Sequence, residues 1–274
     1  MTKIYVFFIS DGTGITAESF GQSLLAQFEN LEFIRITRPY VNTAEKARQL
    51  CKELTTLYKQ KTPKILVFST IVNVEIANIL HEAPVHSYDI FDTFIPSLEN
   101  LLHSHALHKI GKKRDITHSS QYDRRIQAMN FALNNDDGSH VRGYPQAELI
   151  LTGVSRCGKT PTCLYLGLQF GIYAANYPVT EEDIEHEAKL PASLIPWKKK
   201  LFGLTIDFER LSAIRQERYP NSHYASMRQC KLETEQAEQL FSRHKIPVID
   251  TTHYSIEEIA TRILNMSGIE RKIK

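Results

Sequence analysis

Ala147-Glu148-Leu149-Ile150-Leu151-Thr152-Gly153-Val154-Ser155-Arg156-Cys157-Gly158-Lys159-Thr160-Pro161 is the stretch on which the fold turns. Leu149, Ile150 and Leu151 form a short apolar run of the kind that a buried strand needs. The next eight residues, Gly153-Val154-Ser155-Arg156-Cys157-Gly158-Lys159-Thr160, match G-x-x-x-x-G-K-[ST] at every fixed position. Gly153 lets the chain leave the strand sharply, and Gly158 lets successive N–H groups turn inward. Those groups and the following helix N-terminus make an anion cradle, expected over Gly153, Val154, Ser155, Arg156, Cys157 and Gly158. Lys159 is expected to reach the terminal phosphates of a nucleotide, and Thr160 to place its hydroxyl on Mg²⁺. Pro161 suits the first helical turn, where a missing N–H costs little. Leu164, Leu166, Leu168 and Phe170 continue that helix.

Downstream, the spacing predicts strands at 172–176, 201–206 and 247–250. Helices are expected at 208–217 and 226–244, with a last one opened by the capping box of Ser255 and Glu258 and ending near Gly268. Asp207 closes the second of these strands. It has two readings, a carboxylate for Mg²⁺ or the N-cap of the next helix. Arg215, Arg218 and Arg228 flank Pro220-Asn221-Ser222, either as lid arginines or as surface charges. Arg156 either adds charge at the transferred phosphoryl or makes a surface ion pair. No N-K-x-D motif is present, which counts against a GTPase.

Upstream, residues 4–9 read as a strand ending at Ser10-Asp11-Gly12-Thr13-Gly14-Ile15-Thr16. A helix with Ala17, Phe20, Leu24 and Phe28 on one face should follow, then a strand at 33–37. Asn42 and Glu45 suggest a capping box for a helix to about Tyr58. A strand at 65–69 and a helix at 74–80 complete a βαβαβα order, which implies a parallel sheet. The 10–16 loop is either a second phosphate site with Asp11 as a general base, or a Gly-rich turn. Residues 105–121 are polar and basic and read as a linker, followed by a helix bearing Ile126, Met129 and Leu133. That helix stops at Asp136-Asp137-Gly138, which reads as a turn more readily than as a Mg²⁺ site. The expected fold is therefore α/β: two parallel-sheet units, the C-terminal one a P-loop kinase-like domain. The expected domains are 1–104, a linker with connecting helix at 105–145, and 146–274.

A chain of 274 residues with 42% hydrophobic and 23% charged residues can bury a core without disulfides. A net charge of +2 argues against nucleic acid as a partner, despite basic clusters at 109–114 and 198–200. The four cysteines, Cys51, Cys157, Cys163 and Cys230, lack metal or redox spacing, and His103, His105, His108 and His118 have no matching ligand pattern. The apolar run at 4–9 is too short to span a bilayer and no basic leader precedes it. A cytoplasmic protein without a membrane partner is expected. A homodimer is expected on the generality of symmetric pairs.

Four segments together resemble one family: VFFISDGTGITAESFGQSLLAQF, YDRRIQAMNFALNNDDG, GVSRCGKTPTCLYLGLQFGIYAANYPV and NSHYASMRQC with YSIEEIA. They are similar to the phosphoenolpyruvate synthase regulatory proteins, the bacterial branch of a family that includes regulators of pyruvate, phosphate dikinase. The Cys157-Gly158 pair looks like the synthase-regulating branch. Asn135 departs from the H-D-D-G pattern of many relatives. The resemblance implies two activities. One phosphorylates a threonine of the synthase with ADP as donor and inactivates it. The other removes that phosphate with inorganic phosphate and releases pyrophosphate. It also implies that loop 153–160 holds ADP, with Lys159 neutralising the transferred phosphoryl. The residues leave Asp11 and Asp207 as candidate bases, and leave open whether orthophosphate uses the P-loop or the 10–16 loop. A small-molecule kinase using ATP and a non-catalytic nucleotide-dependent binding module are the rival readings.

Overall fold

A computed structural model describes residues 4–60, 64–107, 119–138, 141–180, 183 and 189–273. The chain divides into two compact units, Met1–Asp115 and Ile116–Lys274. Each is built on a parallel sheet with helices, which is the α/β class expected.

In the first unit β1 (Ile4–Ser10), β2 (Phe33–Arg38), β3 (Lys64–Thr70) and β4 (His86–Asp89) lie in the order β2-β1-β3-β4. β1 is central and pairs with β2 and β3, Ile9 facing Arg38 and Ser69. Its alternation divides two cores. Phe7 and Ile9 pack with Leu50 and Leu54 of α2 (Ala44–Lys59) and with Ile76 and Leu80 of α3 (Val74–His81). Val6 and Phe8 pack with Ala17 and Leu25 of α1 (Ile15–Leu25). Both faces are therefore covered, as a parallel sheet requires.

The face of α1 differs from the expectation. Ala17, Gly21 and Leu25 are buried, whereas Phe20, Leu24 and Phe28 are exposed. At Gly21 a Cβ would lie 2.6 Å from the Phe8 ring, so the helix approaches the sheet through its smallest residues. Helix α2 is capped by Thr43, whose hydroxyl accepts from the Lys46 N–H, and not by Asn42, whose side-chain oxygen accepts from the Lys46 ammonium. β4 and α4 (Ile90–Leu102) went unpredicted. The basic cluster at 109–114, with His108 and His118, lies outside the described residues.

The second unit repeats the strand order. β5 (Leu149–Gly153), β6 (Ala174–Pro178), β7 (Leu201–Thr205) and β8 (Val248–Asp250) run β6-β5-β7-β8. β5 is buried along its whole length and pairs with β6 and β7, Gly153 facing Pro178 and Leu204. Helix α5 (Ser119–Asn134), from the segment read as connecting, packs on α6 (Lys159–Phe170). Close packing is possible because Gly167 presents no Cβ to the backbone of Ala128, about which an added atom would sit 3.0 Å away. Then follow α7 (Phe208–Arg218), α8 (Met227–His244) and α9 (Ile256–Ser267). α9 opens with the Ser255–Glu258 capping box, formed in both directions. One core joins β5, β7, α6, α8 and α9 through residues such as Ile150, Leu204, Leu166, Phe241 and Ile263.

Candidate active site

The strand order places a switch point between β5 and β7, because the chain leaves β5 toward β6 on one side and returns to β7 on the other. In open α/β sheets ligands bind at the carboxyl ends of strands at such a point. Loop 153–160 stands there. A Cβ on Gly153 would overlap the Leu204 carbonyl oxygen and lie 2.8 Å from the Cys157 sulfur, so glycine is required by the closeness of β7. Arg156 and Gly158 both take left-handed backbone conformations, φ 77° and 92°. These turns curl the chain into the helix. Gly158 is the N-cap of α6 and supplies no side-chain oxygen. The first N–H groups of α6 are thus left to an external acceptor, the arrangement that receives phosphate oxygens. The Thr251 hydroxyl donates to the Cys157 carbonyl at 3.2 Å and pins the loop from the end of β8. Cys157 itself is buried, and burial pushes its thiol up.

Lys159 is 5% exposed, and its ammonium donates to the Val154 carbonyl at 2.9 Å. The charge therefore lies folded back over the loop it belongs to. Thr160 donates to Asp136 Oδ1 at 2.7 Å. Asp136 also accepts from the side-chain amide of Asn176, a residue with no exposed surface on β6. The Asn176 side-chain oxygen accepts from the Asp137 N–H, and Tyr144 donates from its hydroxyl to the Asn176 carbonyl. The turn Asp136-Asp137-Gly138 is thus tied to β6 and set against the start of α6, a placement that the sequence did not suggest.

Arg215 of α7 is wholly buried. It donates to both carboxylate oxygens of Glu233 on α8, at 3.1 and 2.6 Å, and to the carbonyls of Ser155 and Tyr224. Desolvation draws its pKa down, but the hydrogen bonds and charge of Glu233 outweigh it and the value ends raised. The Tyr224 ring lies 4.0 Å from the guanidinium, and its hydroxyl donates to Ser155 Oγ at 2.9 Å. Of the two readings of Arg215, neither a lid charge nor a surface charge describes this interior tie. Sequence spacing carries no signal for it, since Arg215 and Glu233 sit on different helices.

Asp207 follows β7 and is exposed. Its Oδ1 accepts from the N–H groups of Glu209 and Arg210, both at 3.0 Å, so it caps α7. Asp11 belongs to the first unit, at the corresponding switch point between β1 and β3. Its Oδ2 accepts from the Val72 N–H at 2.7 Å. Burial raises the Asp11 carboxyl above its ordinary value, and the charge of Asp89 adds to this. The Ser10 hydroxyl is held by Thr70 and by the Gly12 N–H, and Gly14 caps α1 without a side chain. Among the described residues no group of three or more His, Cys, Asp or Glu is arranged for a metal. Mg²⁺ at nucleotide sites is commonly bound by one or two protein oxygens together with substrate phosphates, and the oxygens of Thr160 and Asp136, side by side at the start of α6, are of the type that such a site uses. No described helix is long and apolar enough to cross a membrane.

The family model described as kinase/pyrophosphorylase matches residues 6–264. The chain is 53% identical over 272 residues to a Stutzerimonas stutzeri protein named "Putative phosphoenolpyruvate synthase regulatory protein", covering 99% of this chain and 100% of that one. A protein of the same name from Pseudomonas aeruginosa strain LESB58 is also 53% identical, over 99% of both chains. A solved ABC transporter solute binding protein from Agrobacterium vitis aligns at TM-score 0.23 and 12% identity and carries no argument. With a matching model over nearly its whole length and relatives at this identity, the chain belongs to the kinase/pyrophosphorylase family.

Proposed function

We propose that the protein is a bifunctional regulator of phosphoenolpyruvate synthase. In one direction it transfers the β-phosphoryl of ADP to a threonine of the synthase and inactivates it. In the other it returns that phosphoryl to inorganic phosphate and releases pyrophosphate. The observation that carries this reading is the loop at the β5–β7 switch point, with an uncapped helix N-terminus, a left-handed Gly158 and a buried Lys159 at its start.

The forward step makes one P–O bond and breaks another. The threonine oxygen attacks the β-phosphorus, the bond to the bridging oxygen of AMP breaks, and the hydroxyl proton leaves to a carboxylate. Such a transfer needs positioning and charge stabilisation more than covalent chemistry. The N–H groups at the start of α6 hold the phosphate oxygens. Lys159 swings from the Val154 carbonyl to the β-phosphoryl and offsets its charge. Thr160 and Asp136 would hold Mg²⁺, which when bound neutralises phosphate charge. Asp207 and Asp11 remain the candidate bases. In the reverse step an orthophosphate oxygen attacks the phosphothreonine phosphorus, and the threonine oxygen leaves with a proton. Whether orthophosphate enters the same loop is answered by competition between ADP and phosphate in binding.

The test mixes the protein with phosphoenolpyruvate synthase, Mg²⁺ and β-labelled ADP, with γ-labelled ATP in parallel. The expected result is label on a synthase threonine from ADP, absent with Lys159→Ala. Transfer from ATP to a small molecule, with none from ADP, would replace this reading by a metabolite kinase. ADP binding with no transfer in either direction would replace it by a non-catalytic binding module.

A further inference from the structure

The Asp136–Thr160 contact carries a further assignment, which rests on reading loop 153–160 as the ADP site. We propose that Asp136 is the protein carboxylate of the Mg²⁺ site serving that nucleotide, that it shares the ion with Thr160, and that Asn176 holds it in position.

Three observations support it. Thr160 Oγ1 and Asp136 Oδ1 lie 2.7 Å apart. Two oxygens bound at right angles to one Mg²⁺ at about 2.0–2.1 Å lie about 2.9 Å from each other. The pair therefore has nearly the spacing of one edge of the ion's octahedron, and the hydroxyl proton need only rotate away. Secondly, the carboxylate is fixed from behind. Asn176 is wholly buried, donates to Asp136 Oδ1, and is itself oriented by the Asp137 N–H. Outer partners of this kind are what set a metal-ligating carboxylate. A turn alone would need neither the Asn176 amide nor the Thr160 hydroxyl on this side chain. Thirdly, both partners are neutral, and no ion pair among the described residues includes Asp136. Among the described residues no cationic side chain takes up its charge.

Asp207 is the competing carboxylate, at the end of the strand beside β5. Its Oδ1 is bonded to two N–H groups of α7, and no described hydrogen bond links it to Thr160. Asp136 comes instead from the turn before β5, upstream of the loop that it serves.

The experiment measures ADP binding to the full chain by equilibrium dialysis, in EDTA and in saturating Mg²⁺. It adds titration of the ADP-bound protein with Mn²⁺, followed by electron paramagnetic resonance. In wild type Mg²⁺ should tighten ADP binding, and the Mn²⁺ spectrum should report a protein-bound ion. Asp136→Asn should bind ADP in EDTA within about twofold of wild type, while Mn²⁺ affinity of the ADP complex falls about tenfold or more. Asp207→Asn should leave Mn²⁺ affinity unchanged. Asp136→Glu, which keeps the charge, should retain part of the Mn²⁺ affinity and covers the case in which Asp136→Asn does not fold. Undiminished Mn²⁺ binding in Asp136→Asn, a loss confined to Asp207→Asn, or wild-type ADP binding indifferent to Mg²⁺ would overturn the assignment and leave the ADP site standing. Failure of wild type to bind ADP under any condition would overturn the underlying reading as well.

Discussion

Arg215 Nη2 donates to the carbonyl oxygen of Ser155 at 3.1 Å, so a wholly buried charge on α7 holds the third residue of loop 153–160. The same guanidinium pairs with Glu233 of α8. Loop, α7 and α8 thus share one polar centre. A shift of either helix would be felt at loop 153–160.

Removing one partner of this pair should cost far more than removing both. Arg215→Met leaves Glu233 buried without its cation, a loss of about 3–5 kcal/mol. Arg215→Met with Glu233→Leu should recover a large part of it. Urea unfolding of the two variants and wild type checks this. Equal destabilisation by the single and the double change would show that packing, not the charge, dominates.

Gly153→Ala tests the closeness of β5 and β7. The new methyl meets the Leu204 carbonyl and the Cys157 sulfur, and neither is the free end of a flexible chain. Overpacking of this sort costs about 1–3 kcal/mol. Gly158→Ala meets no neighbour, and strain arises there from φ 92° alone. Calorimetry should show a lower unfolding midpoint for Gly153→Ala. ADP affinity should fall too, because the loop starts at that residue.

How much of this could be read beforehand depended on range. Strand, loop and helix from Leu149 to Phe170 were legible, because a local motif and an apolar run fix them. The capping box at Ser255 was legible for the same reason. The buried face of α1 was not. Phe20, Leu24 and Phe28 have the right spacing, but Gly21 decides which side the sheet can approach. β4 is four residues long, His86–Asp89, and lacks an apolar run. Lys159 and Thr160 stand out in the sequence because a local motif contains them. Asp136 and Arg215 stand out in the sequence too, one as a turn or Mg²⁺ carboxylate and the other as a lid or surface arginine, but the contacts of Asp136 with Thr160 and Asn176, and of Arg215 with Glu233, arise only through tertiary packing, which no spacing reveals.

The cysteines should separate by reactivity. Cys157, Cys163 and Cys230 are buried, and desolvation pushes each thiol up, in Cys157 against the opposing charge of Lys159. Cys51 is partly exposed. Iodoacetamide at neutral pH should label Cys51 well before the others, which should react on addition of denaturant. Fast labelling of Cys157 in the folded protein, read by mass spectrometry, would mean that the loop opens readily.

Asp11→Asn gives the pH dependence of the first unit. The folded-state value of Asp11 is raised above the unfolded one, chiefly by burial. The ionised form therefore costs stability. That cost is absent below the unfolded value, near the ordinary 3.8, and fully present above the raised folded value. Asparagine carries no charge and can still accept the Val72 N–H that Asp11 Oδ2 accepts at 2.7 Å. Asp11→Asn should thus raise the unfolding midpoint at pH 7, with the gain shrinking as pH falls through the raised value. Midpoints measured from pH 4 to pH 8 decide this. A variant less stable than wild type at pH 7, with a deficit that narrows on acidification, would mean that the backbone donors favour the carboxylate more than burial opposes it. A constant difference across the range would mean that Asp11 ionises alike in the folded and unfolded chain. If Asp11 is also the base, the same substitution should slow phosphoryl transfer above the raised value, and less below it, where the wild-type carboxyl is protonated as well.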